Sequence, residues 1–268
     1  MSRLRSNGLN LILALYVALV FLFIFAPIGF SLVFSLNSQR FPTIPLGEFS
    51  TEWYVKVLSD PDIWQAALNS LIVSLSTAVI ATFLGFCTAY SDFRYNFRWK
   101  APYLALILLP PTIPLIIMAL AMLAWLSKLG LSGQLWSIIL AHTVLTAPFA
   151  MAVIRLRLHQ MDPDLEAAAW NLGGSEWQTM RHVILPYCRP AIVSALCLTA
   201  AVSFDEFAIA WFVSGLNKTI PVVILEIVQG NIDPQVNAIG TFVFLISMTL
   251  VILAQVFLIS RQTRSPTS

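Results

Sequence analysis

Charge is what this 268-residue chain has least of: Asp, Glu, Lys and Arg make up 10% of it, where proteins average roughly 25%. So little charge cannot cover a water-facing surface. With 58% hydrophobic residues, the shortage points to a surface that faces lipid. The net charge of +2 is too small to argue for a nucleic-acid partner. Cysteine is scarce as well. Cys87, Cys188 and Cys197 lie in or beside apolar runs without metal-ligand spacing, so they read as buried free thiols and imply no disulfide framework or metal site. The three histidines fall in separate segments, and no HExxH, Ser/His/Asp or paired-cysteine pattern stands out. A GxxxxGK[ST] phosphate loop is also missing, so the expectation is a chain that is not an enzyme and binds no nucleotide or other cofactor itself.

What is there is a succession of apolar runs. Six of them, 9–36, 68–90, 101–126, 134–156, 191–213 and 237–260, are near the ~20 residues that cross a bilayer as a helix. The expected fold is therefore an all-α membrane protein, one transmembrane domain over 1–268. The first run is far longer than the ~7–15 apolar residues of a cleavable signal and is read as a retained anchor. Between the first two runs, Ser50–Leu58 carries Trp53, Tyr54 and Val57 at helical spacing, as in a short interfacial helix with its aromatics at headgroup level. The segment 214–236 reads as a return to water.

Two runs carry irregularities. The third contains Pro110, Pro111 and Pro114, which cannot sit in a regular helix because they lack N–H donors and clash with preceding carbonyls. A break at that depth is tolerated only where protein or a water-filled cavity covers it, and a packing kink and a gate hinge both remain open. In the fourth run a lone His142 stands among apolar neighbours and is weighed as a satisfied bundle residue over a ligand.

Orientation follows from basic residues. Eleven of the fifteen, Arg3, Arg5, Arg94, Arg98, Lys100, Arg155, Arg157, Arg181, Arg189, Arg261 and Arg264, fall on the side of the N-terminus; Arg40, Lys56, Lys128 and Lys218 fall on the other. By the positive-inside bias both termini and the segment 162–190 are cytoplasmic. That segment reads as two short helices. Asp162 is an N-cap with Pro163 at the first helical position, and Gly173-Gly174 ends the helix. Ser175 with Gln178 makes a capping box for the second, which Pro186 is expected to terminate. Trp170 and Trp177 on such a loop call for a docking partner.

Within the fifth run stand Asp205 and Glu206, at ~2.5–3.5 kcal/mol each if charged and central in a membrane. That run offers no basic partner. A transported cation is one counter-charge; a basic residue of another subunit, or protonation, is the other reading. Adjacent helical positions point about 100° apart, so one of the two faces a path. Phe204 and Trp211 flank the pair and suit either cation–π contact or core packing.

The run from Gly173 through nine residues to Val183-Ile184-Leu185-Pro186 resembles the G-x9-I-x-L-P half of the loop that marks permease subunits of bacterial ATP-binding-cassette importers. Ala167, Ala168 and Ala169 stand where that loop has its glutamate and two alanines, with Glu166 one residue early. Further on, Asp205-Glu206, Phe212-Val213-Ser214-Gly215, Ile220-Pro221 and Pro234-Gln235-Val236-Asn237-Ala238 resemble the spermidine/putrescine permeases of the PotC type, as do Asn69-Ser70-Leu71. The resemblance implies a type I importer permease with six spans and a coupling loop, in a bacterial inner membrane. Implied partners are a second homologous permease, two ATPase subunits that hold ATP and magnesium, and a periplasmic substrate-binding protein. Leu165, Glu166, Ala168, Ala169, Trp170, Leu172, Gly173, Trp177 and Pro186 become the coupling contacts, and Asp205, Glu206, Phe204 and Trp211 the substrate path. A polyamine is the implied solute, with an aminophosphonate, an opine or ferric iron as alternatives. A stand-alone carrier using Asp205 or Glu206 as a proton relay is the competing class.

Overall fold

The structure is a computed structural model that describes residues 2–39, 46–162, 164–230, 234–245 and 248–249, with side chains from residue 10. In chain order the helices are α1 Ser2–Ser35, α2 Glu52–Ser59, α3 Pro61–Arg94, α4 Lys100–Leu108, α5 Leu115–Lys128, α6 Leu135–Leu158, α7 Asp164–Asn171, α8 Glu176–Thr179, α9 Leu185–Asp205, α10 Ala208–Val213 and α11 Ile220–Gly230. A last helix, α12, covers Gln235–Leu245. The described residues contain no strand, only an isolated bridge between Asn37 and Phe49.

Four stretches are long and apolar enough to cross a membrane unbroken: Asn10–Ser35, Pro61–Arg94, Leu135–Leu158 and Glu176–Asp205. The third expected span is present in two pieces, α4 and α5, parted at the prolines. The expected sixth span opens with α12, and the rest of 237–260 lies largely outside the described residues.

The chain divides into two compact units, residues 1–63 with 224–268, and residues 64–223. In the first, α1 is exposed along most of its length, as a lipid-facing helix is. Its far end meets α2: Trp53 Nε1 donates to the Asn37 carbonyl at 2.8 Å, and the Tyr54 hydroxyl lies 2.7 Å from Ser35 Oγ. The helix expected over Ser50–Leu58 is there, and these aromatic tips hydrogen-bond within the chain. Ser31 Oγ also donates to Asn237 Oδ1 at 3.3 Å.

The second unit is built around α6. One end of α6 packs with α5 and α10, around Met118, Leu126, Ile138, Ile209 and Val213; the other packs along α9, around Ile154, Leu158, Ile184, Cys188 and Ala195. Lipid is as apolar as leucine, so close fit rather than water exclusion holds such helices together. Gly85 shows how close. A Cβ there would lie 2.6 Å from the Met151 backbone nitrogen, so α3 and α6 cross nearly backbone to backbone.

Several expected boundaries move. The second span begins at Pro61 rather than residue 68, because Asp60 Oδ1 accepts the Asp62 N–H at 2.9 Å and starts the helix in polar sequence. Pro186 does not terminate the second loop helix. A π turn at Met180–Ile184, where the Leu185 N–H reaches the Met180 carbonyl, adds a residue ahead of the proline, and the helix runs on from Glu176 to Asp205. The segment read as a return to water contains α11. Among the cysteines only Cys188 is buried; Cys87 and Cys197 sit on outward faces of α3 and α9.

Candidate functional site

The fifth span is not one helix. It breaks after Asp205, where Glu206 is extended at φ −76° and ψ 118°, and restarts as α10 at Ala208. The break has a local cause. The Glu206 carboxylate accepts the Ile209 N–H at 3.1 Å and 2.9 Å on its two oxygens, and the Ala210 N–H at 3.3 Å. Those are orphan donors of a helix start, and an anionic acceptor there also meets the positive end of the helix dipole. Glu206 is buried, 7% exposed, and Nε2 of the fully buried His142 on α6 comes within 3.2 Å of it, outside hydrogen-bonding alignment. The other ring nitrogen of His142 lies 2.9 Å from Ser203 Oγ. A partner for the carboxylate pair thus exists inside the chain, on the fourth span, and it serves Glu206 alone.

Asp205 is different. It is exposed, with no hydrogen bond or ion pair among the described residues, and it closes α9. The last carbonyls of a helix lack intrahelical donors and carry partial negative charge, to which this carboxylate adds. At the break, then, the positive end is neutralised by Glu206 and the negative end is reinforced by Asp205. Electrostatically, the Asp205 side of the break favours positive charge over negative. Of the flanking aromatics, Phe204 is half-buried and Trp211 packs against the α5–α6–α10 core, so packing accounts for Trp211.

Pro110 and Pro111 form a single 3₁₀ turn with Thr112, and Thr112 Oγ1 donates to the Leu109 carbonyl at 2.7 Å. Ile113 is extended, and Pro114 precedes the first residue of α5. The turn packs on α6, which supplies the cover that a break at this depth requires. Beside α10, two loop glycines meet, and the Gly133 N–H donates to the Val213 carbonyl at 3.1 Å. Gly133 and Gly215 have φ of +79° and +58°, and a Cβ on Gly215 would meet the Gly133 Cα at 2.8 Å. Asn217 Nδ2 donates to the Gly133 carbonyl at 2.9 Å. Asn69 and Ser70 then fix the start of α11, donating to the Lys218 carbonyl and accepting the Ile220 N–H, respectively.

At the opposite end, the loop over 162–190 has the expected local chemistry. Asp162 Oδ1 accepts the Asp164 N–H at 3.0 Å; Pro163 lies outside the described residues. Ser175 and Gln178 form the reciprocal capping box, at 3.3 Å and 2.8 Å. Gly173 turns the chain at φ +80°. Leu165, Ala168, Trp170, Leu172, Trp177 and Pro186 are exposed, Leu172 at 89% and Trp177 at 70%, while Ala169 is half-buried. Glu166 is not with them. It is 6% exposed and points back toward Arg94 at the end of α3, so it belongs to the inner face of the loop. Nearby, buried Asp92 holds Arg155 of α6, His159 at its C-cap and Lys100 of α4.

The capped loop over 162–190 and the helix break after Asp205 thus stand at opposite ends of the helix that runs from Glu176 to Asp205. Residues 81–264 match the model of the binding-protein-dependent transport system inner membrane component family. The chain belongs to this family. The permease is 33% identical over 241 residues to the spermidine/putrescine transport system permease protein PotC of Haemophilus influenzae, covering 90% of this chain and 93% of that one. To the PotC of Escherichia coli strain K12 it is 31% identical, covering 90% and 91%. It is also 31% identical to the putrescine transport system permease protein PotI of the same strain, over 83% and 82%. In fold it matches the bacterial ABC transporter that imports the acidic polysaccharide alginate, with TM-score 0.73, 17% identity and 97% and 98% coverage. The MetNI methionine ABC transporter matches at TM-score 0.58, with 21% identity and 77% and 100% coverage. The permease thus has the type I ABC importer fold and is a membrane-embedded importer subunit, a transporter by family rather than an enzyme.

Proposed function

We propose that this permease and a second, homologous one line the path of an ATP-driven importer for a small organic polycation, putrescine or spermidine. Asp205 is the carboxylate that meets the solute. The observation that carries this is the division of labour at the α9–α10 break: Glu206 is consumed by capping and by His142, and Asp205 is left exposed at a negative helix end. The polyamine relatives support the same solute class. A further relative, 28% identical, is named for 2-aminoethylphosphonate transport, but a phosphonate would bring anionic charge to an unneutralised carboxylate. Proton relay through Glu206 is disfavoured, since its oxygens are engaged by backbone N–H groups.

The exposed apolar face of Leu165, Trp170, Leu172 and Trp177 is the surface on which one of the complex's two ATPase subunits, which hold ATP and magnesium, docks from the cytoplasm. With both termini on that side, a periplasmic binding protein delivers solute at the Gly133–Gly215 end. The test is ATP-dependent uptake of labelled putrescine and spermidine into vesicles holding the whole complex and its binding protein. Uptake that collapses in Asp205→Asn supports the assignment. Uptake indifferent to that change removes Asp205 from the path, and ATP-dependent transport of another solute with polyamines inert discards the substrate class.

A further inference from the structure

The last turn of α3 and the coupling loop are joined by one ion pair. Glu166 is the buried residue of α7, and its Oε2 lies 3.9 Å from Arg94 Nη1. The Arg94 guanidinium also covers the ring of Trp170, one turn along α7, with its carbon 4.8 Å from the ring centroid. Two residues of α7 are thereby held by a single side chain of α3. Two residues earlier on α3, Asp92 ties that same turn to α4 and α6 through Lys100, Arg155 and His159.

We propose that Arg94 and Glu166 are positioning residues that carry the motion of the coupling loop into the second span, and through Asp92 into α4 and α6. The proposal rests on the reading that the loop docks an ATPase. Glu166 then works on the inner face of α7, while Leu172 and Trp177 meet the partner on the outer face. The pair is not at its tightest here. At 3.9 Å it exceeds the ~2.7–2.9 Å of a charge-assisted hydrogen bond, and Glu166 Oε1, buried, has no hydrogen-bond partner. Drawing α7 and α3 together by about 1 Å would bring the guanidinium into hydrogen bonding with the carboxylate. A strut with a looser and a tighter setting is what a switching subunit needs.

The test uses the reconstituted complex with both permeases, the ATPase subunits and the binding protein as purified. The readout is the ratio of ATP hydrolysis with binding protein to hydrolysis without it, which needs no knowledge of the solute. Arg94→Glu and Glu166→Arg each place like charges at the strut, and each is expected to lower the ratio at least fivefold. The double swap is expected to recover at least half of it, a rescue that loss of folding would not allow. Single variants with the wild-type ratio, or a double swap no better than either single, overturn the strut. A wild-type preparation that recruits no ATPase overturns the docking reading, and the strut falls with it.

Discussion

Substituting the two carboxylates at the α9–α10 break separates a structural role from a transport role. Glu206→Ala removes the acceptor of the Ile209 and Ala210 N–H groups and the anion beside His142. Each buried donor left unpaired costs about 1–3 kcal/mol, and with partial relaxation of a six-residue helix the pair should cost about 3 kcal/mol together. At roughly 2–4 °C per kcal/mol for a chain of this size, Tm should fall by about 6–12 °C. Glu206→Gln keeps a carbonyl oxygen for capping and should cost about 1 kcal/mol. Asp205→Asn disturbs no described contact and should move Tm by no more than about 2 °C, yet abolish polyamine uptake. The assay is thermal unfolding in lipid nanodiscs, followed by tryptophan fluorescence, with uptake measured on the same preparations. A Tm drop for Asp205→Asn as large as that for Glu206→Ala, or no drop for Glu206→Ala, would refute the reasoning.

Further outcomes follow from other contacts. Asp92→Ala strands Arg155, Lys100 and His159 and should cost about 2 kcal/mol, less than the ~3–5 of a fully buried pair because its partners keep water contact; a Tm shift below about 2 °C would contradict this. Gly215→Val puts a branched side chain where a Cβ already meets Gly133 at 2.8 Å, in a left-handed conformation, so binding-protein stimulation of ATP hydrolysis should fall; a variant stimulated normally would show that this clasp is not needed. Gly173→Pro cannot adopt φ of +80°, and should leave membrane insertion intact while uncoupling hydrolysis from transport; normal uptake in that variant would remove Gly173 from the coupling path.

What could be read from the chain was local or compositional. The capping box of Ser175 and Gln178 spans three residues, so the motif and the structure are nearly the same statement. The proline break and the Asp162 cap are of the same kind. His142 escaped as a partner because its contact with Glu206 joins residues far apart in sequence, on two helices whose apolar faces carry no marker of which neighbour they meet. Glu206 escaped as a cap because it precedes the N-cap position, which Phe207 holds, and its longer side chain reaches forward to the second and third N–H groups of α10 that an N-cap side chain would take. The thiols of Cys87 and Cys197 were misplaced for a general reason: in a membrane, lipid-facing and protein-facing surfaces are both apolar, and hydropathy does not separate them. Pro186 does not end the helix because the π turn ahead of it accommodates the missing N–H and the ring, which nothing in the local sequence marks.

That π turn has a mechanical consequence. Because the helix survives Pro186, the 30 residues from Glu176 to Asp205 form one lever about 45 Å long, with its handle in the coupling loop and its tip at the exposed carboxylate. A tilt of about 5° about the handle displaces the tip by about 4 Å, about as far as the longest separation that still counts as an ion contact. A helix that stopped at Pro186 would have dissipated such a tilt at a hinge. If the loop docks an ATPase and Asp205 meets the solute, as proposed, both ends of that coupling lie on one unbroken helix, and affinity for the solute can be changed from across the membrane without a signal having to pass between separate elements.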